Sequence, residues 1–295
     1  MDRIAADIYT WMEDFANNAL TPESDLPAFD RPVIGCARGN DPLFSFLKED
    51  IGPDFYWTPV DAFKAAFPDA EVVSEDLSVI AWVLPQTEQT RKAHRKQTEL
   101  PSKAWSCARH YGEKVNENLR RYVVEQLFKQ GIDACAPVLI PEWSRAESRN
   151  YGFASSWSER HAAFACGLGT FGLSDGLITS VGKAIRVGSV IVNKQFQPTP
   201  REYTTHNQWC LFQAKGKCNA CIKRCPVGAI SEKGHDKIKC KAYIRQVTSP
   251  YVAQEQLGFN VNSCGLCQTK VPCESRNPTA KGLPKRKQPF RDDPV

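Results

Sequence analysis

The sequence predicts an α+β chain: a layered α/β domain over residues 1–200, followed by a small cysteine-built module over 201–273. Three observations predict it. Short apolar runs alternate with helical patterns through the first part, which is the signature of layered sheet and helix. Eight of the twelve cysteines lie between Cys210 and Cys273. Between the two parts, residues 194–209 carry prolines at 198 and 200 and no periodicity, which marks a boundary.

In chain order, residues 1–30 read as a helix and then a loop. SVIAWVLP (78–85) is an apolar run ending in proline and reads as a buried strand. KQTELPSKAW reads as a polar loop. From His110 to Lys129, Val115, Leu119, Val123 and Leu127 recur at four-residue spacing with charges between them, predicting a helix that Gly131 ends. IDACAPVLI (132–140) reads as a second buried strand. Ser156 to Cys166 reads as a helix, with Ser156 and Glu159 at capping-box spacing and Gly167 as its stop. IRVGSVIVN (185–193) supplies a third strand. After Cys273, residues 274–295 are proline-rich and basic (Lys281, Lys285, Arg286, Lys287, Arg291) and read as an extended arm.

The composition is that of an ordinary folded chain, with 42% hydrophobic residues in 295. The formal charge of +5 is mild and does not demand nucleic acid. No stretch approaches the roughly 20 apolar residues of a membrane helix, and the start, MDRIAADIYTWMEDF, is acidic where a signal peptide is basic. The expectation is a soluble, cytoplasmic protein. In that reducing compartment, crowded cysteines point to metal binding rather than disulfides.

CNACIKRCPVGAI holds Cys218, Cys221 and Cys225 before Pro226, the later part of a bacterial ferredoxin run. A tight loop wraps thiolates around one face of a cubane, while the cysteine before the proline reaches the other cluster. Eight thiolates serve two 4Fe–4S clusters, and the eight here are Cys210, Cys218, Cys221, Cys225, Cys240, Cys264, Cys267 and Cys273. The crossed pattern puts Cys210, Cys218, Cys221 and Cys273 on one cluster and Cys225, Cys240, Cys264 and Cys267 on the other. Two spacings depart from the pattern: Cys210 precedes Cys218 by eight positions, and Cys273 follows Cys267 by six and is followed by Glu274 rather than proline. Structural zinc also uses C-x2-C pairs, but it needs neither the C-x3-C-P element nor the linked second half. Cys36, Cys107, Cys135 and Cys166 are scattered and read as small buried hydrophobes.

GLGTFG (167–172) spells a dinucleotide-binding fingerprint, but a helix precedes it where a strand is required. The acidic residue expected about 20 positions on is missing. It reads as a helix stop and a tight turn, whose glycines let backbone approach a flat cofactor.

Taken in order, these pieces resemble the cobalamin-dependent iron–sulfur reductases, namely the epoxyqueuosine reductases and reductive dehalogenases. The resemblance covers roughly residues 75–273. It rests on SVIAWVLP, on CARHYGEKVNENLRRYV with Arg109 and Tyr111 in matching places, on ERHAAFACGLGTFGLSDGLITSVGKAIRVGSVIVN, and on the order of the eight cysteines. It implies a nitroreductase-like domain holding a corrinoid against a ferredoxin-like module, with Arg109, Gly167, Gly169, Gly172, Arg186 and Gly188 as corrinoid contacts. Electrons pass from cluster to cluster to cobalt, supplied by a low-potential ferredoxin or flavodoxin. No D-x-H-x-x-G motif occurs in the chain, so the resemblance implies a base-off cobalamin without a histidine ligand.

The sequence also departs from the family. A further helical-repeat domain that helps epoxyqueuosine reductase hold tRNA has no counterpart, and NYGFASSWS carries no carboxylate where the family has its acid. The implied substrate is a small molecule rather than tRNA. Tyr151 and Tyr111 are the candidate proton donors, because a neutral phenol donates well beside a cation. Glu159 reads as a cap, Arg186 as a pocket arginine that could hold an anion, Lys183 as a weaker candidate, and His110 and His161 as residues that bind no metal. The rival reading is a ferredoxin-type electron carrier with no catalysis of its own; a second rival is a tRNA-modifying enzyme that uses the basic tail.

Overall fold

The computed structural model describes residues 1–280; of the arm read over 274–295, residues 281–295 lie outside them, and Glu274 at its start is buried rather than extended. Helix α1 (Asp2–Glu13) opens the chain, then strand β1 (Val33–Arg38), α2 (Pro42–Ile51) and α3 (Pro59–Ala66). Next come β2 (Ser78–Pro85), α4 (Glu88–Arg95), α5 (Lys103–Phe128) and β3 (Ala134–Cys135). A hairpin β4 (Arg145–Ser148) and β5 (Gly152–Ser155) leads to α6 (Glu159–Ala165). A second hairpin, β6 (Gly169–Phe171) and β7 (Leu177–Thr179), leads to β8 (Ile185–Val192). The cysteine-rich part holds α7 (Leu211–Lys215), α8 (Ala220–Arg224), the short pair β9 (Ile230–Ser231) and β10 (Gly234–His235), α9 (Lys237–Tyr243) and α10 (Ser249–Val252).

The fold is a mixed α/β one, built on a four-stranded sheet in the order β1-β2-β8-β3 with every pairing antiparallel. All eight residues of β2 are buried, because both faces of the sheet are covered. On one face Ile80, Trp82, Leu84, Val190 and Val192 pack against α1 and α5; on the other, Val79, Ala81, Val83, Val187 and Ile191 pack against α6. Strands buried on both faces read as continuous apolar runs, which is why SVIAWVLP and IRVGSVIV stand out in the sequence. Residues 193–210 carry neither helix nor strand. They lie along the free edge of β1, where Thr199 N donates to Cys36 O at 2.8 Å and Cys36 N to Thr199 Oγ1 at 3.0 Å. The same apolar cluster that includes Leu177 and Ile191 continues through Trp209, Cys210, Cys221, Ile230 and Val271, so the two parts share a core. Among the described residues, no helix is long and apolar enough to cross a membrane.

Three sequence expectations are corrected. Helix α5 begins at Lys103 rather than His110, because Ser102 Oγ accepts from Trp105 N at 3.3 Å and caps it inside the supposed loop. The strand expected over 132–140 is only Ala134–Cys135, since Pro137 has no N–H for the ladder and a 3-10 turn follows. The capping box at Ser156 and Glu159 does not form. The N-cap of α6 is Ser158, Ser156 Oγ accepts from Ser144 N at 3.0 Å, and Glu159 is spent on a buried network described below.

Candidate functional site

The C-terminal cysteines are carried by short elements that cannot form a core of their own. Cys210 is the N-cap of α7, Cys221 lies in α8, Cys225 is the C-cap of α8, and Cys240 lies in α9. Cys264 and Cys267 flank Gly265, which has φ 69° and lies so close to the Trp105 indole that an added Cβ would come within 2.2 Å of it. That loop turns in the left-handed region and presses on α5, so only glycine fits. Arg224 staples it: Nε donates to Leu266 O at 3.1 Å and Nη1 to Gln97 O at 2.6 Å. Glu274, in the place of the expected proline, is buried and grips α4 through Arg95 Nε at 2.8 Å, while also accepting from Lys270 N at 2.6 Å. This carboxylate ties the chain after Cys273 to the first part of the molecule.

The eight thiols fall into two groups. Cys210, Cys218, Cys221 and Cys273 line one cavity together with Lys183, Gly172 and Ile178. Burial pushes the Cys273 thiol up to about 11, Lys183 opposes it, and Cys210, Cys221 and Cys218 are the neighbours that add to the rise. Cys264 is pushed up to about 12 by burial, with Cys267, Cys240 and Cys225 adding to it. Cys240 in turn is raised to about 11 by burial and then by Cys267 and Cys225. Among the described residues, no three His, Cys, Asp or Glu side chains converge closely enough to share one metal ion.

Beside the second group, arginines that reach solvent from crowded surroundings point to a cleft walled by cations. Arg109 is 43% exposed, yet surrounding protein lowers its guanidinium from the ordinary value, with Glu113 opposing. Arg160 is likewise exposed and likewise lowered by lost solvation, with Arg109 and Cys267 among its neighbours. A group that reaches solvent and still loses solvation lines a concavity. Arg160 donates to Asp175 O; the Asp175 carboxylate holds His235 Nδ1 at 3.0 Å and has Lys237 as a further cationic neighbour. Arg186 pairs with Glu113 at 3.2 Å and donates to Arg109 O at 3.1 Å, and its Nε is buried without a partner.

Behind the cleft, Arg120 is 2% exposed and joins Glu159 at 3.0 Å and Glu113 at 3.3 Å. Ser189 Oγ donates to Glu159 Oε2 at 2.6 Å and accepts from Trp157 Nε1 at 3.0 Å. Burial raises the Glu159 carboxyl above its usual range, with Arg120 and Ser189 opposing. Glu159 is therefore a structural partner of Arg120 that holds the cleft's back wall.

The sequence-selected residues are not all brought together. Tyr151 stands at the cleft rim: Lys237 Nζ donates to its carbonyl at 2.9 Å and its hydroxyl donates to Asp50 Oδ2 at 2.5 Å. That hydrogen bond, followed by burial, pushes the phenol up to about 12. Tyr111 points elsewhere, packing with Leu20 and Leu257; two positions from Arg109 on one helix, it occupies a different face. His161 accompanies Arg160 and is lowered to about 3 by burial and then by that guanidinium, so it is neutral near pH 7.

The side-chain faces of three glycines are filled by the protein itself. An added Cβ would meet Pro200 O at 3.1 Å at Gly167, Ile178 O at 2.3 Å at Gly169, and Trp82 Nε1 at 2.5 Å at Gly188. Their missing side chains serve internal packing. Gly172 alone of the four lines the cavity of the first cysteine group. Lys183, a minor candidate by sequence, proves central: it is buried and lines that same cavity. Burial and neighbourhood are tertiary properties, and no local pattern around Lys183 announces them.

The remaining thiols are buried in the core. Burial pushes Cys36 up to about 11 and Cys135 up to about 12, and raises Cys107 and Cys166 as well. Cys166 Sγ donates to Val79 O at 3.3 Å. Protonated, enclosed thiols are poor nucleophiles. The folded protein is expected to resist iodoacetamide at these four positions, and changing all four to alanine or serine should leave cluster absorbance intact; loss of half the iron on changing any one would reassign it as a ligand.

No protein-family model matches the chain. It is 30% identical to the epoxyqueuosine reductase of Bacillus anthracis over 119 residues, 39% of this chain and 29% of that protein. It is 31% identical to that of Francisella cf. novicida (strain Fx1) over 125 residues, 41% of this chain and 33% of that one. The chain thus matches about a third of the length of these curated relatives. A crystal structure of epoxyqueuosine reductase with an epoxyqueuosine-modified tRNA-Tyr stem loop superposes at a TM-score of 0.48 and 16% identity, over 92% of this chain and 66% of that one. By sequence the chain is similar to the epoxyqueuosine reductases over about two fifths of its length.

Proposed function

We propose that this chain is a corrinoid-dependent iron–sulfur reductase. Residues 1–200 form a nitroreductase-like domain for corrinoid and substrate, residues 201–273 a ferredoxin-like module with two 4Fe–4S clusters, and the basic tail follows Glu274, which is buried against α4. The observation that carries the reading is a cysteine quartet lining one cavity, with a second set of cysteines and solvent-reaching arginines beside it. The donor set fits: each quartet is all thiol, as 4Fe–4S clusters require.

The cleft fits a corrinoid through its N–H groups. Arg109, Arg160 and the unpartnered Nε of Arg186 can meet the amide and phosphate groups of such a ligand. Bound there, a corrinoid would supply a strongly reducing cobalt, and the chain, lacking a D-x-H-x-x-G motif, would offer it no histidine from such a motif. Tyr151 keeps its proton, since Asp50 accepts from its hydroxyl; to act as the donor for a reduced substrate it has to leave that carboxylate. A low-potential ferredoxin or flavodoxin supplies the electrons, and the substrate is a small molecule. The work is done in the cytoplasm.

The experiment is titration of the iron-loaded protein with cob(II)alamin. Uptake of about one equivalent is expected, with loss of the spectral signature of axial dimethylbenzimidazole. Protein that holds both clusters yet ignores cobalamin would leave the electron-carrier reading in its place.

A further inference from the structure

Lys183 lies between β7 and β8 and is 3% exposed. Its backbone is fixed from both sides. Its N–H donates to Cys273 O at 2.9 Å. The preceding Gly182, at φ 88°, is pressed so close to the Glu274 backbone that an added Cβ would lie 2.2 Å from its carbonyl oxygen. The side chain therefore enters the interior at a set position.

Its ammonium carries three N–H donors. Among the described residues its hydrogen bond goes to Ser174 Oγ at 2.9 Å. The side chain also lines the cavity formed by Cys210, Cys218, Cys221 and Cys273. A buried ammonium without a carboxylate is costly unless other negative charge stands nearby. Here that charge would come from sulfur once the thiols ligate iron. Its cavity neighbours Cys210, Cys218, Cys221 and Cys273 supply it from one quartet. Cys267 belongs to the other quartet. Ser174 extends the link, since its hydroxyl also hydrogen-bonds to Cys267.

Resting on the iron–sulfur reading above, we infer that Lys183, anchored by Ser174, is a positioning residue for electron flow, its fixed charge standing between the two quartets and raising the reduction potential of the clusters they hold. Charge and hydrogen bonds near cluster sulfur set cluster potentials. One electron arrives at a quartet from the low-potential donor and one leaves for the acceptor; Lys183 exchanges neither electron nor proton. Its charge favours the state with the extra electron at either quartet, which keeps the two within easy exchange of each other.

The test is a potentiometric titration followed by electron paramagnetic resonance, on iron-loaded wild type, Lys183→Met, Lys183→Arg and Ser174→Ala. At the wild-type midpoint, Lys183→Met is expected to lower the ratio of reduced to oxidised cluster about tenfold, about 59 mV for one electron. Lys183→Arg should recover most of that shift, and Ser174→Ala should move the potential in the same direction by less. A Lys183→Met protein with full iron and unmoved potentials overturns the inference and leaves the iron–sulfur reading standing. If Lys183→Met loses its iron, Ser174→Ala decides: wild-type potentials there overturn the inference, and a downward shift supports it. A wild-type chain that takes up no iron overturns the underlying reading, and the inference with it.

Discussion

Replacing Arg120 with alanine is expected to destabilise the fold by about 3 kcal/mol, the lower end of what breaking a buried ion pair costs. Arg120 is 2% exposed and serves Glu159 and Glu113 at once, while its Nη2 also donates to Val187 O at 3.3 Å. Without it, Glu159 keeps only the Ser189 hydroxyl at 2.6 Å. Burial already pushes that carboxyl upward, so the variant protein takes up a proton there instead of keeping an unpaired anion. This relief holds the cost at the lower end. With a urea slope of about 1–3 kcal/mol per molar, the unfolding midpoint should fall by about 1 M or more. Lysine should not rescue it, because one ammonium cannot reproduce a fork that reaches two carboxylates and a carbonyl. A midpoint within 0.2 M of wild type, on the order of what a surface change produces, would show that the network holds nothing.

The sheet was legible because of its burial. A strand covered on both faces reads as an unbroken apolar run, and β2 and β8 fall where SVIAWVLP and IRVGSVIV predict them. The strand β1 was not legible: VIGCAR is short, ends in a charge, and takes its identity from pairing with β2. The start of α5 was hidden because its cap, Ser102, sits in a polar stretch behind Pro101. Glu159 misled for the opposite reason, since its spacing from Ser156 imitates a local motif while its carboxylate is claimed by residues 39 and 30 positions away.

At the site, spacing alone separated the clustered cysteines from the scattered ones, because a thiolate loop is a local structure. The cleft was less legible. Arg109 and Tyr111 are neighbours in sequence, but the helix turns one toward Glu113 and the other toward Leu257. Lys183 carries no local mark; what sets it apart is the sulfur gathered around it from four distant cysteines.

The second large effect concerns those cysteines. The crossed grouping makes a definite claim about single changes. Cys218→Ala removes a member of the group that lines the Lys183 cavity, and Cys240→Ala removes a neighbour of Cys225 and Cys264. A cubane that loses one of four thiolates is expected to be lost or to degrade, while the other quartet stays complete. Each variant should therefore retain about half of the wild-type iron. The double variant should retain little, because both quartets are then broken. A pair of variants that both lost all their iron would place the two residues on one shared site instead.

The wild-type metal content tests the two-cluster claim most directly. Anaerobically reconstituted protein is predicted to hold about eight irons and eight sulfides per chain, as two 4Fe–4S clusters demand; stoichiometric zinc with little iron would contradict it.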